Sequence, residues 1–302
     1  MNRMLFKSIF LAMALLFGVL NAYADEVLLK PFVLASTGAG TVAEKTAQAK
    51  AALIAGGFTV VGNYSPYPDA EILVVTNDEL KKNAAASEHG GFGAVQRVAI
   101  TKAKDAVQVS YTNPVYMANA YRMQGDLSNV ATQLGAALGK VEEFGSKDGM
   151  SAKQVRKYHY MFGMEYFTDL DVLAEYPSYE DAVQAVDAKL TANKNGLAKV
   201  YRVDIPGKQE SVFGVAMKAP AESEKYMDDR FIMNEIDFHD IKSTAHLPYE
   251  VLVDGNKVYA MYARFRIAID FPDLSMMGKN SFMNIMKTPD AIRDALQKTV
   301  RK

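Results

Sequence analysis

The chain is 302 residues long, with 34 basic and 35 acidic side chains and neither cysteine nor tryptophan. Without cysteine it has no disulfide, no thiol chemistry, no iron–sulfur ligand and no covalently attached c-type haem. Its balanced charge is a poor match to nucleic acid, which rewards clustered positive charge. At about 100–200 residues per domain the length predicts two domains, with cores built by Tyr, Phe and Met against Val, Ile and Ala.

The chain opens with Arg3 and Lys7, an apolar run from Leu5 to Leu20 broken only by Lys7 and Ser8, and then “NAYA”. Ala22 and Ala24 are the small residues that a signal peptidase accepts, so residues 1–24 read as a signal peptide cleaved before Asp25. The uncharged run is short for a spanning helix, which needs about 20 residues. The expected product is periplasmic or secreted, soluble, and without a stable membrane span.

In the first half, “EVLLKPFVLA” from Glu26 reads as a strand. Thr41 and Glu44 form a capping box for an Ala-rich helix that runs to Ile54 and is ended by Gly56-Gly57. “FTVVGNY” and “AEILVVT” are strands, with “SPYPD” as their turn, and “NDELKKNAAA” is a short polar helix. “AVQRVAI” and “AVQVSY” make a hairpin. Asp126 then opens a helix whose Val130, Leu134, Leu138 and Val141 fall on one stripe.

In the second half, “HYMFGMEYF” from His159 reads as a strand. Ser178 and Asp181 form a looser capping box, with Val183, Val186 and Leu190 as the buried stripe of the helix and Asn195-Gly196 as its stop. “LAKVYRVDI” and “SVFGVAM” are strands around Pro206-Gly207, and “AESEKYMDDRFIMNEI” is a middle helix. “YEVLV” and “KVYAMYARFRIAI” form a second hairpin around Asp254-Gly255, a strong turn signal. Thr288 caps a last helix with Pro289 at its first position.

The two halves repeat one order: strand, helix, two strands, short helix, two strands, helix. The reading is α+β, with two tandem domains, 25–145 and 152–302, and a polar seam at Phe144 to Ser151. Each domain should carry an antiparallel sheet of about four to five strands with helices packed on one face. A single large sheet with coincidental symmetry is the alternative.

“TVAEKTAQAKAALIAGGFTVVG” from Thr41 and “AVQVSYTNPVYMANAY” from Ala106 resemble the “domain of unknown function 302” family, in which an early helix ends in a Gly-Phe strand and a late hairpin carries a similar pattern. “HLPYEVLVDGNKVYAMY” from His246 resembles the same hairpin, including the family's Leu-Pro, here Leu247-Pro248. The resemblance implies a TATA-box-binding-protein-like fold and no particular activity. The first half departs from it with “GGFGAVQ” from Gly90 in place of Leu-Pro, so no ligand site shared by both halves carries over.

Candidate ligand-binding residues are Tyr111, Asn113 and Tyr116 by the first hairpin and Tyr249, Tyr259, Tyr262 and Arg264 by the second. Tyrosines on strands are commonly packing, yet they also line pockets with apolar walls and a few hydroxyls. Asp237, His239 and His246, with Asp240 between them, are the densest group of metal-ligand types, suited to zinc or copper but matching no zinc spacing. Methionine pairs at Met161/Met164, Met276/Met277 and Met283/Met286 fit core filling. They also leave Cu(I) or a non-covalent haem open. “EHGGFG” from Glu88 precedes a strand, not a helix, and so reads as a flexible turn, not a phosphate loop. No nucleophile elbow, HExxH or Walker motif occurs. The expected function is therefore that of an exported binding or accessory protein. Its partner would be a small apolar or amphipathic ligand or a periplasmic protein, and a metal- or haem-binding protein assisting electron transfer is the alternative.

Overall fold

A computed structural model describes residues 27–301; the signal peptide read in residues 1–24 lies outside them. The first half contains β1 (Leu28–Leu29), β2 (Phe32–Gly38), α1 (Val42–Ala55), β3 (Thr59–Tyr64), β4 (Ala70–Thr76), α2 (Asp78–Ala85), β5 (Gln96–Ala103), β6 (Ala106–Thr112), α3 (Pro114–Ala120), α4 (Ser128–Leu138) and β7 (Glu142–Phe144). After β8 (Met150–Ser151) and α5 (Ala152–Arg156), the second half contains β9 (Asp171–Glu175), α6 (Tyr179–Thr191), β10 (Leu197–Asp204) and β11 (Glu210–Met217). It continues with α7 (Asp229–Ile236), β12 (Tyr249–Asp254), β13 (Lys257–Ala260), α8 (Ala263–Asp270) and α9 (Thr288–Val300).

The fold is α+β. Among the described residues the larger sheets are antiparallel, ordered β3-β4-β5-β6-β2-β7 and β10-β11-β12-β13-β9. Taken from their outer edges, the two orders place corresponding strands in corresponding positions, with β7 added beside β2. The seam is pinned at both ends: Phe144 pairs with Phe32, and Met150–Ser151 pair with Leu29–Leu28.

Local chemistry explains the starts of the main helices. Thr41 Oγ1 accepts the Glu44 amide at 3.2 Å while Glu44 accepts the Thr41 amide at 2.8 Å, the reciprocal bonds of a capping box. Ser178 Oγ accepts the Asp181 amide at 3.1 Å. Asn113 caps α3, with Pro114 where the missing amide costs nothing. Thr288 does not cap: α9 begins on it after Lys287, and its hydroxyl is buried without a partner among the described residues.

Several expected elements differ. Residues 159–167 form turns, and the strand falls later, at β9. The second hairpin ends at Ala260, and “ARFRIAID” is the helix α8. The middle helix is split into a 3-10 turn at Glu222–Met227 and α7. Val141 lies beyond α4 and is exposed.

Each sheet has one face on its own helices and the other on the opposite half. In the first sheet, Tyr111 reaches Gly139 at the end of α4. Alternation then turns Arg97, Thr101, Gln108 and Ser110 the other way. They meet the segment between α7 and β12: Gln108 bonds the Asp240 carbonyl at 2.9 Å and Thr101 bonds Thr244 at 2.9 Å. The second sheet returns the arrangement. Its Glu210 accepts the Gly91 amide at 2.5 Å, so Gly90–Gly93 of the “EHGGFG” segment form a buried 3-10 turn laid on β11 and β12. A Cβ on Gly91 would stand 2.5 Å from Leu252 Cδ1; close approach, not flexibility, demands the glycine. The edge strands β3 and β10 also meet, where a Cβ on Gly62 would stand 2.4 Å from the Val200 carbonyl oxygen.

Candidate functional site

Two places bring functional side chains together: a charged network between the sheets, and an apolar crevice on the outer side of α8.

The network is centred on Glu250. Arg97 Nη1 reaches its Oε1 at 2.8 Å, and Arg266 Nη1 holds its Oε2. Arg97 and Arg266 are 3% and 0% exposed. Three further donors go to carbonyls, Arg97 Nε to Ala245 at 2.8 Å and Arg266 Nη2 to His246 at 2.5 Å and to Pro248 at 2.7 Å, while Arg266 Nε is buried without a partner among the described residues. His246 Nδ1 lies 2.6 Å from Asp270, and its Nε2 lies 3.1 Å from the Tyr249 hydroxyl. Burial drives the His246 imidazole down to about 4; Asp270 opposes this, while Arg266 and Arg97 reinforce it. Asp270, His246 and Tyr249 have the connectivity of a proton relay but are sealed from solvent within the second half, and it is Arg97 that ties the first half to this network.

The crevice lies between α8 and two chain segments, 158–170 and 271–286. Ile267, Ala268 and Phe271 form its base, and Tyr160, Met164, Leu274 and Phe282 its sides. The space between the atoms amounts to about 300 Å³, of which only about 20 Å³ seats a water-sized sphere. Arg264 supplies the charge at its wall. Its Nε and Nη2 hold both oxygens of Glu165 at 2.9 and 2.5 Å, a bidentate geometry specific to carboxylate-like groups. Burial alone would raise Glu165, but the Arg264 contacts outweigh it and the carboxyl is held below its usual value. The Arg264 guanidinium also lies 5.2 Å from the Tyr262 ring centre. The same two segments expose Met161, Phe162, Met277 and Met283, with Phe162 fully in solvent.

Of the seven candidate ligand residues, the structure places Arg264 at the crevice and Tyr262 beside it. The others are dispersed. Tyr111 is buried under α4, and Asn113 is bound to the Lys30 carbonyl and to Glu143. Tyr116 donates to the Ile269 carbonyl at 2.6 Å, tying α3 to α8. Tyr249 belongs to the network. Tyr259 packs 5.3 Å from the His89 ring, which pairs with Asp254 at 3.0 Å. The three metal candidates are not brought together. Asp237 accepts the Ser243 amide at 2.9 Å, His239 is exposed with its ring 4.3 Å from Phe238, and His246 faces Asp270. Among the described residues no group of three His, Asp or Glu side chains could hold a metal ion.

Arg97, Glu250 and Arg266 escaped the sequence reading. Their signal was a charged letter within an apolar strand or helix, which ordinarily marks a solvated face. Among the described residues no helix is long and apolar enough to cross a membrane. Comparison with protein-family models, curated proteins and solved structures finds no match to this chain.

Proposed function

We propose that this chain is an exported binding protein for a small amphipathic molecule. With the 157–170 stretch moved aside to widen it, the crevice would take the apolar body over Ile267 and Phe271, and an acidic head would lie on Arg264. The observation that carries the reading is the Arg264–Glu165 pair at the wall of an otherwise apolar crevice. Glu165 occupies the place of a ligand carboxylate. It belongs to a stretch without helix or strand, residues 157–170, so exchange requires displacing one side chain and a turn, not breaking a sheet. Met and Phe around the crevice give an adaptable apolar surface. The shared strand order and the reciprocal covering of the sheets support descent from one duplicated unit of the TATA-box-binding-protein-like type.

The test is native mass spectrometry of the full chain taken from its own cell envelope, followed by titration with octanoate. We expect a bound species, saturable octanoate uptake, loss of at least tenfold in affinity in Arg264→Gln, and blockage in Ala268→Leu, which should stay folded at the assay temperature. Empty native protein with no saturable uptake, or variants that bind as the wild type does, would overturn the reading. A metal or a Soret band in the same preparation would favour the alternative of a metal or haem carrier.

A further inference from the structure

A second, wider opening lies between the two halves, away from the crevice. Tyr64, Ser65 and Pro66, at the turn between β3 and β4, form one wall, and Ala216, Met217 and Pro220 form the other, around about 550 Å³. Asp229, the first residue of α7, lies against this space and is 1% exposed. Its Oδ2 accepts the Met217 amide at 3.0 Å and the Tyr64 hydroxyl at 3.2 Å. Its Oδ1 is buried and has no hydrogen-bond partner among the described residues.

The fold does not need this carboxyl as a cap. Asp228 already caps α7, with Oδ1 accepting the Phe231 amide and Oδ2 the Ala219 amide, both at 2.9 Å. A buried carboxyl with one oxygen unused is costly, and replacing such a group by an apolar one of similar size is often neutral or better. Once ionised, its Oδ1 lacks a donor, and its place beside an open cleft points to an occupant that supplies one. The adjacent acid, Asp228, disfavours an anion there, and the cation on the lining, Lys218, is exposed and makes no bond to Asp229. The walls are carbon-rich at Pro66, Ala216, Met217 and Pro220.

We propose that this cleft binds a small primary amine, whose ammonium donates to Oδ1 of Asp229 while its carbon body lies against Pro66, Met217 and Pro220. Burial, helped by Asp228, pushes the Asp229 carboxyl up to about 8, against the pull of the Met217 amide, the Tyr64 hydroxyl and the Arg266 guanidinium of α8. At neutral pH the arriving ammonium therefore meets a protonated acid. The acid releases its proton to solvent, and the resulting carboxylate pairs with the cation. Binding should tighten as pH rises through that value. The inference is independent of the Arg264 crevice.

The test uses the full chain and butylammonium chloride, with butanol as the neutral control of the same length, followed by calorimetry at pH 7 and pH 9. We expect saturable binding of butylammonium, about tenfold tighter at pH 9, as follows from titration of one linked proton. Asp229→Asn, which keeps the shape, should weaken it at least tenfold and abolish the pH dependence. Ala216→Leu, which narrows the cleft from the opposite wall, should also abolish binding, and it keeps the test decisive should the Asn variant fold poorly. Equal binding of butanol and butylammonium, no saturable heat, a flat pH response, or wild-type affinity in Ala216→Leu would each overturn the proposal.

Discussion

Glu250→Gln is the perturbation that bears most directly on how the halves are joined. The carboxylate is shared by Arg97 and Arg266, all three essentially without solvent. At an effective dielectric of about 20, one contact at 2.8 Å has a gross Coulomb energy of about 6 kcal/mol. Desolvation of the ions offsets most of it, and measured losses on breaking one partner of a buried pair are about 3–5 kcal/mol. The amide preserves shape and some hydrogen bonding, so we expect the lower end, about 3 kcal/mol. For a chain of this size that lowers the melting temperature by about 10 °C, from 2–4 °C per kcal/mol. The assay is urea unfolding, with the midpoint falling at an unchanged slope. The triple exchange Arg97→Met, Glu250→Leu, Arg266→Met leaves no unpaired buried charge, only the carbonyls of Ala245, His246 and Pro248 without their donors, and should cost no more than Glu250→Gln. A Glu250→Gln protein within about 0.5 kcal/mol of wild type, or a triple variant worse than the single one, would refute the reasoning.

Acid should destabilise the protein through His246: its folded value of about 4 lies below the usual 6.5, so the unfolded chain binds the extra proton and stability drops as pH falls between these values. Asp229 acts in the opposite sense. Its folded value of about 8 lies above the ordinary 3.8, so stability drops as pH rises from about 4 to about 8, and Asp229→Asn should gain stability at pH 8 and little at pH 4. Urea midpoints across pH for wild type, Asp229→Asn and His246→Gln check both slopes. Gly62→Ala puts a methyl 2.4 Å from the Val200 backbone oxygen and should cost about 1–3 kcal/mol, as overpacking does, read by the same denaturation. N-terminal sequencing of the chain purified from its own cells should begin at Asp25; retention of the leader would count against the export reading.

What the sequence made legible was local. The caps at Thr41 and Ser178 show because a hydroxyl and its acidic partner lie three residues apart. The Asp254-Gly255 turn shows for a similar reason. The helix α8 was hidden because “ARFRIAID” alternates apolar and polar letters like a strand. In the structure Phe265, Arg266, Ile267, Ala268 and Ile269 are all buried and only Arg264 is part-exposed, so the helix has almost no solvated face and no helical period to read. The strand β9 was missed because it is an edge strand with Val172 exposed. Arg264 was singled out as a residue of the second hairpin, yet it reaches the crevice from a helix. The partners of Arg97 lie about 150 positions away, and no local window carries that information.

The crossed covering of the sheets has a consequence for how this molecule comes into being. Neither polar sheet surface is finished until the other half supplies its turn, and the interior strand β2 waits for both β6 and β7 to emerge before it is flanked. A fragment ending at residue 145 would carry Arg97 with no counter-ion and a bare Thr101–Gln108–Ser110 surface. Each half thus completes the fold of the other, and the molecule matures only when its C-terminal portion has been delivered.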